Sequence, residues 1–281
     1  MKYTLGCYEK SMPNKLTIKE KLSYVKKFGF DFMELSIDES DEKLSRLDWD
    51  SSHRISILND MANSGSKIGS ICLSGHRRFP LGSENQEIRN KSLEIMRKAI
   101  SLADDLGIHI IQIAGYDEYY QESNNKTKEY FIDGLRKSID WASERGVILA
   151  LETMETPFMD TVEKALHYVR LFNSPYLQIY PDTGNFTNGN LINRSDVIKD
   201  LETGIGHIVA IHLKESLPGI FREVPFGEGH VQFNRILEFG LRNGVRRFNA
   251  EFWCTDEKTW IGQMKHARSF LCEMLDLSLG T

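Results

Sequence analysis

The 281-residue sequence predicts one (β/α)₈ barrel domain spanning residues 1–281. Three observations carry that expectation. Short apolar runs alternate with longer amphipathic ones from end to end, the pattern of a parallel sheet covered by helices. Eight strand–helix units fit in the chain, with strand tips near Tyr8, Leu35, Leu73, Ala114, Glu152, Asp182, His212 and Glu251. Helix after helix stops at a glycine that opens into the next strand, which suits a short connection with Gly in the left-handed cap. The rival architecture, an open doubly wound sheet, wants a glycine-rich phosphate turn after an early strand. The early turns, YEKSMPN and SIDESDE, contain no GxGxxG.

The elements follow in order. Tyr3–Tyr8 is strand-like, and Lys15–Phe28 has helical periodicity closed by Gly29. Phe30–Ile37 is the second strand and Asp50–Asn63 the second helix, stopped near Gly65. Lys67–Leu73 is the third strand, followed by the polar loop SGHRRFPLGSE and a long helix, Glu87–Leu106. Ile108–Ala114 and Val147–Glu152 are the fourth and fifth strands, separated by a helix at Lys126–Glu144. Val162–Phe172 and Ser195–Thr203 are helices flanking the sixth strand, Tyr176–Tyr180. His207–Leu213 is the seventh strand, and a long loop, Lys214–His230, leads to a helix at Phe233–Phe239. Val245–Glu251 is the last strand and Glu257–Leu275 the closing helix.

At 41% hydrophobic residues the chain can bury a full core. A net charge of −5 gives no general attraction to nucleic acid or to an anionic membrane. The four cysteines, Cys7, Cys72, Cys254 and Cys272, have no CxxC or zinc-knuckle spacing. With no secretory signal, reduced thiols in a cytoplasm are expected. No run approaches the roughly 20 apolar residues of a membrane span.

In such a barrel, function sits at the carboxyl ends of the strands. Four successive apolar runs end there on metal-competent side chains: Glu152 in LALETMETP, Asp182 in LQIYPD, His212 in IVAIH and Glu251 in FNAE. A buried strand-end acid is costly unless it meets a metal or a proton. Three carboxylates and one imidazole suit one divalent ion, Mn²⁺, Mg²⁺ or Co²⁺, with Zn²⁺ possible. Four ligands leave about two positions open on a six-coordinate ion. The C2 carbonyl and C3 hydroxyl of a 2-keto sugar would fill both. A cation there stabilises an enediolate formed by loss of the C3 proton. Glu152 and Glu251 could then take that proton from one face and return it to the other. Coordination lowers a carboxyl pKa, so each Glu must coordinate through one oxygen and work with the other.

With these residues in place, the chain resembles the xylose-isomerase-like (β/α)₈ superfamily, and within it the bacterial L-ribulose-5-phosphate (L-xylulose-5-phosphate) 3-epimerases of L-ascorbate and L-gulonate catabolism. The segments that carry the likeness are YEKSMP, GFDFMELSIDESDEKLSRLDW, CLSGHRRFPLGSENQEIR, LEIMRKAI, IQIAGYDEYYQESNN, YPDTGN, GIGHIVAIHLKES and VPFGEGHVQF. The resemblance implies metal-dependent epimerisation at C3 of a pentulose 5-phosphate, with the four ligands and the Glu152–Glu251 acid/base pair named above. It also implies, by analogy with such barrels, a homodimer. Related free-ketohexose 3-epimerases carry a His three positions after the Asp ligand, where this chain has Asn185. They have an Arg soon after the His ligand, where this chain has Lys214 and Glu215. They have a Glu six positions after the first ligand, where this chain has Phe158. These differences point to a different grip on the far end of the substrate, consistent with a phosphate.

Further candidates surround the tips. His76, Arg77 and Arg78 occupy the loop after the third strand, with His76 expected to face the pocket and the arginines to hold phosphate. Lys214 lies two residues past His212, on the same side of its strand, and with Asn185 is expected to hold substrate oxygens. Glu34, in FMELS, is expected to contact substrate or a nearby lysine. Tyr8 could cover the sugar, and Glu228, in the FGEGH loop, could reach inward as that loop closes. His207 is expected to be structural, and Arg246 and Arg247 to be surface charges. Tyr119 and Tyr120 could wall the pocket or an interface.

Two rival activities share the barrel. An apurinic endonuclease would need several histidines at the tips and a basic face. This chain offers one clear His ligand and a negative charge. An aldose–ketose isomerase would use the same metal but move a proton between C1 and C2. A non-catalytic sugar-phosphate sensor would not need all four ligands.

Overall fold

The computed structural model describes residues 2–280. Eight strands and the helices between them run in the expected order: β1 (Thr4–Tyr8), α1 (Ile18–Phe28), β2 (Phe32–Ile37), α2 (Asp41–Leu44), α3 (Ser51–Ser64), β3 (Ile68–Leu73), α4 (Gln86–Asp105), β4 (Ile110–Ala114), α5 (Asn125–Arg145), β5 (Ile148–Glu152), α6 (Val162–Phe172), β6 (Leu177–Ile179), α7 (Thr183–Asn193), α8 (Val197–Thr203), β7 (Ile211–Leu213), α9 (Phe233–Arg242), β8 (Arg247–Ala250) and α10 (Trp260–Ser278). All strand pairs are parallel, and β1 lies between β2 and β8. The ring closes between β6 and β7 through the bridges Ile179–Ile208 and Asp182–His212. The fold is thus the (β/α)₈ barrel that the alternation predicts.

Local sequence explains the boundaries. Thr17 and Glu20 form a reciprocal capping box at α1, and Asn124 with Thr127 does the same at α5. Gly29, Gly65 and Gly146 end α1, α3 and α5 in the left-handed conformation. Helix α7 is the element that periodicity does not reveal. Its sequence, TGNFTNGNLIN, is rich in Gly and Asn, both weak helix formers. Tertiary packing decides it: the helix is buried from Thr183 to Asn190, and a Cβ at Gly189 would lie 2.0 Å from the Asp160 carbonyl oxygen.

The strands alternate in an unusual sense. Outward positions such as Met33, Leu35, Ile71, Ile113, Leu149 and Leu151 join the helices in one apolar core. Inward positions include Glu34, Ser36, Ser70, Gln112, Asn249 and His212, all buried. Buried polar groups are normally bonded, and most of these are, although Gln112 Oε1 and Asn249 Oδ1 have no hydrogen-bond partner. At the lower mouth Arg247, expected on the surface, lies against the Phe32 ring at 4.2 Å and donates to the Gly69 carbonyl. His207 is structural as expected, with Nδ1 3.2 Å from Gln178 Oε1.

A second buried network braces the tips of β1 and β2. Glu9 meets Lys21 at 3.0 Å, Lys43 at 3.1 Å and Arg46 at 2.5 Å, and accepts from the Ser36 amide at 2.9 Å. Burial opposes its charge, but Arg46 and the two lysines outweigh this and hold the Glu9 carboxyl well below the usual range. Glu9→Gln removes the counter-charge of three buried cations. We expect it to cost roughly 3–5 kcal/mol in urea unfolding; a change under about 1 kcal/mol would show the cluster to be energetically idle.

Candidate metal and catalytic site

Glu152, Asp182, His212 and Glu251 converge at the carboxyl ends of four adjacent strands, their ligand atoms all within 4.8 Å of one another. Glu152 is the last residue of β5, and its Oε2 accepts from Gln112 Nε2 at 2.5 Å. Asp182 caps α7: its Oδ1 accepts from the Asn185 amide at 2.7 Å and faces Lys214 Nζ at 3.0 Å. His212 Nδ1 lies 2.7 Å from Glu152 Oε1 and 3.3 Å from Glu251 Oε2. Asp182 Oδ2 and Glu251 Oε2 are buried with no hydrogen-bond partner. Buried carboxylate oxygens left in that state are expensive, and these aim into the common cradle. The donor set and the orphaned oxygens fit a divalent metal ion.

The electrostatics agree. Burial, reinforced by Glu251, raises the Glu152 carboxyl, with His212 opposing. Burial also raises Asp182, where Lys214 offsets only part of the effect. Glu251 goes the other way, because Lys214 and His212 outweigh its burial and hold it below the usual carboxylate range. The His212 ring is pushed up against its own burial by Glu34, Tyr180 and the neighbouring glutamates. Three carboxylates share a cavity with little positive charge, a repulsion that a divalent cation would relieve.

A cleft opens above the cradle. Among its lining residues are Tyr8, Lys10, Arg77, Glu155, Asn185, Lys214, Arg222 and Trp253, together with Glu152 and Glu251. Tyr8 bonds Ser36 through its hydroxyl at 3.0 Å and packs edge-on against Trp253. Lys214 Nζ donates to Asn185 Oδ1 at 2.8 Å. Burial opposes its charge, but Asp182 and Glu251 raise its pKa. Arg77 lies over the Tyr119 ring at 4.4 Å. Tyr119 in turn donates to Glu155 at 2.9 Å, so it backs two residues of the cleft without lining it.

Four expectations are corrected. His76 does not face the cleft; it is buried behind it, its ring Nε2 3.2 Å from the Ser92 carbonyl. Arg78 leaves the site to pair with Asp41 at 2.7 Å. Glu228 is exposed, and the acid that ties the FGEGH loop inward is Glu215, which accepts from the amides of Gly227 and Val231. Glu34 has no exposed surface and lies beneath His212 rather than beside the cleft. The sequence reading missed Lys10, Glu155, Arg222 and Trp253. Lys10 and Trp253 each lie two residues past a tip residue already singled out, a signal that was available. Arg222 sits mid-loop, where spacing says nothing.

Barrel and site together define a metal-competent cradle at the mouth of a (β/α)₈ barrel, and comparison with known proteins gives the class, a sugar epimerase. The family model described as xylose isomerase-like TIM barrel matches residues 22–273. L-ribulose-5-phosphate 3-epimerase UlaE of Escherichia coli O1:K1 / APEC is 46% identical over 268 residues, covering 95% of this chain and 93% of that protein. The protein of the same name from Shigella boydii serotype 18 is 50% identical over the same shares. A solved structure of an L-ribulose 3-epimerase superposes with a TM-score of 0.77 at 18% identity, covering 99% of this chain and 96% of the other. The chain belongs to the L-ribulose-5-phosphate 3-epimerase family of xylose isomerase-like barrels. No helix among the described residues is long and apolar enough to cross a membrane.

His76 carries a pH signature. Burial lowers its pKa from 6.5 to about 4. The unfolded chain therefore takes up a proton near pH 6.5 that the folded chain refuses until about pH 4. Its contribution is intact above pH 6.5 and is lost as pH falls toward 4, to a total of about 3 kcal/mol. Urea unfolding at pH 7 and pH 4 should show a smaller loss in His76→Gln than in the unaltered protein; equal losses would contradict this account.

Proposed function

We propose that this enzyme interconverts L-ribulose 5-phosphate and L-xylulose 5-phosphate by removing and returning the C3 proton, a step of L-ascorbate and L-gulonate catabolism. The observation that carries the reading is the pair Glu152 and Glu251, two buried carboxylates at the ends of β5 and β8, the outer two of the four strands that build the cradle. The names of relatives 46% and 50% identical to this chain support the same substrate class. In this reading Glu152, Asp182, His212 and Glu251 hold one divalent ion, with Mn²⁺, Co²⁺, Mg²⁺ and Zn²⁺ all compatible with the donor set. When bound, that ion polarises the C2 carbonyl and offsets the negative charge that develops on deprotonation.

The chain's own groups do the rest. One glutamate takes the C3 proton from one face, and the other donates a proton to the opposite face, which inverts the centre. Without the ion the two carboxyls are unequal, Glu152 raised by burial and Glu251 lowered by Lys214 and His212; with it bound, each must keep one oxygen free to handle the proton. Lys214 and Asn185, joined at 2.8 Å, present an ammonium and an amide to the substrate's oxygens. Tyr8 and Trp253 cover the sugar and keep water from the reacting carbon. Arg77, Lys10 and Arg222 are the cations at the mouth. Each has an acid partner there, Glu39 at 3.9 Å for Arg77, Asp38 for Lys10 and Glu155 at 3.0 Å for Arg222, and the two guanidinium groups also lie over the Tyr119 and Trp253 rings. A phosphate dianion competes well for such guanidinium groups. Arg77 is the phosphate ligand we favour, and Arg78 has no part in it.

The direct test incubates Mn²⁺-loaded protein with L-ribulose 5-phosphate in D₂O and follows the sugar by NMR. L-xylulose 5-phosphate should form with deuterium at C3. EDTA should stop the reaction, and Glu152→Gln or Glu251→Gln should slow it by about 10²–10⁴-fold. Deuterium at C1 or C2 would make the enzyme an aldose–ketose isomerase, and full activity in either variant would remove that glutamate from its role. Arg77→Gln should raise KM for the phosphorylated sugar while leaving kcat within a few-fold; an unchanged KM would remove Arg77 from the phosphate subsite.

A further inference from the structure

The geometry points to Glu34 as the positioning residue that selects which nitrogen of His212 faces the cradle. An imidazole can present either ring nitrogen to a metal, and the ligating one must carry no proton. Glu34 Oε1 lies 2.6 Å from His212 Nε2. A carboxylate only accepts, so Nε2 carries the hydrogen; Nδ1 also faces carboxylates, and a cation that took the place of a proton there would find the lone pair of the ring on Nδ1. Nδ1 is the nitrogen that faces Glu152 at 2.7 Å and Glu251 at 3.3 Å.

Glu34 is itself fixed from every side. Oε1 also accepts from Asn249 Nδ2 at 2.9 Å, while Oε2 accepts from Ser70 Oγ at 2.7 Å and from the Tyr180 hydroxyl at 3.2 Å. Four donors therefore saturate the carboxylate, which has no exposed surface. The backbone cooperates. The β2–β3 register shifts between Met33 and Glu34, which sets Glu34 directly opposite Ser70. The Tyr180 ring, whose hydroxyl holds Glu34, also packs on the His212 ring at a centroid distance of 4.5 Å. None of these donors is a Lys or Arg. An acid with no cationic partner except a histidine is a poor choice for filling a barrel, where an apolar residue would pack at no desolvation cost. Its arrangement makes sense as a device that aims the ring and strengthens it as a ligand.

The inference rests on the divalent-cation reading above, and its test uses Mn²⁺ alone with no sugar. Free Mn²⁺ is measured by EPR in titrations of the unaltered protein, Glu34→Gln and Tyr180→Phe. Glu34→Gln should weaken Mn²⁺ binding by about 10–100-fold, with the melting temperature of the metal-free protein within a few degrees of the original. Tyr180→Phe, which removes one of four donors, should weaken it less. Unaltered protein that binds no Mn²⁺ overturns the metal reading and this inference with it. Unaltered protein that binds Mn²⁺ while Glu34→Gln binds equally well overturns the role of Glu34 alone. ¹⁵N NMR of the unaltered Zn²⁺-loaded protein gives a check free of any folding defect. It should show His212 protonated at Nε2 and ligating through Nδ1, and the opposite tautomer would overturn the inference.

Discussion

Three carboxylates brought into one buried cavity are the constraint on which the rest of the barrel turns. Among the described residues, Glu152, Asp182 and Glu251 have His212 and Lys214 as the cations that answer their charge. Such an assembly is unstable unless protons or a cation fill it, because repulsion and desolvation act together. The barrel supplies the rigidity that holds the groups together regardless. Each comes from a different strand end, and the parallel ladder fixes the spacing between ends. Asp182 shows the economy of the design. One oxygen caps α7 and meets Lys214, and the other is left free to face the cradle.

The polar interior extends that constraint downward. Glu34 beneath His212 and Gln112 beside Glu152 are inward residues of β2 and β4, and both exist to bond a residue of the site. The other partners of Glu34 are Ser70 on β3, Asn249 on β8 and Tyr180 just past β6. Site and scaffold are therefore one hydrogen-bonded body, and the apolar core lies outside the ring, between strands and helices. The Glu9 cluster has a different task. It ties the Lys43–Arg46 segment to the β1 and β2 tips, where Tyr8 and Lys10 enter the cleft.

Much of this was legible in the residues. The eight strand tips could be located because apolar runs and glycine stops are local features. The four cradle residues stood out because acids and a histidine at the ends of apolar runs contradict their surroundings. Helix α7 was invisible because its Asn and Gly residues disfavour a helix, and only packing against Asp160 and the loop after β7 makes one. His76 and Arg78 misled because a loop's position is readable while its side-chain directions are not. Glu34 lies on the inward face of its strand, but too deep for the expected contact with substrate. Alternation gives the face, and only the three-dimensional network shows that His212 covers it. Glu228 and Glu215 exchanged roles for a related reason: which of two loop acids turns inward depends on the backbone amides waiting there.

The most direct test of the central claim is anomalous diffraction at the manganese edge from crystals grown with Mn²⁺. The account predicts one strong peak enclosed by Glu152, Asp182, Glu251 and the Nδ1 atom of His212. A map without a peak among those four side chains, or with the ion held elsewhere, would contradict it.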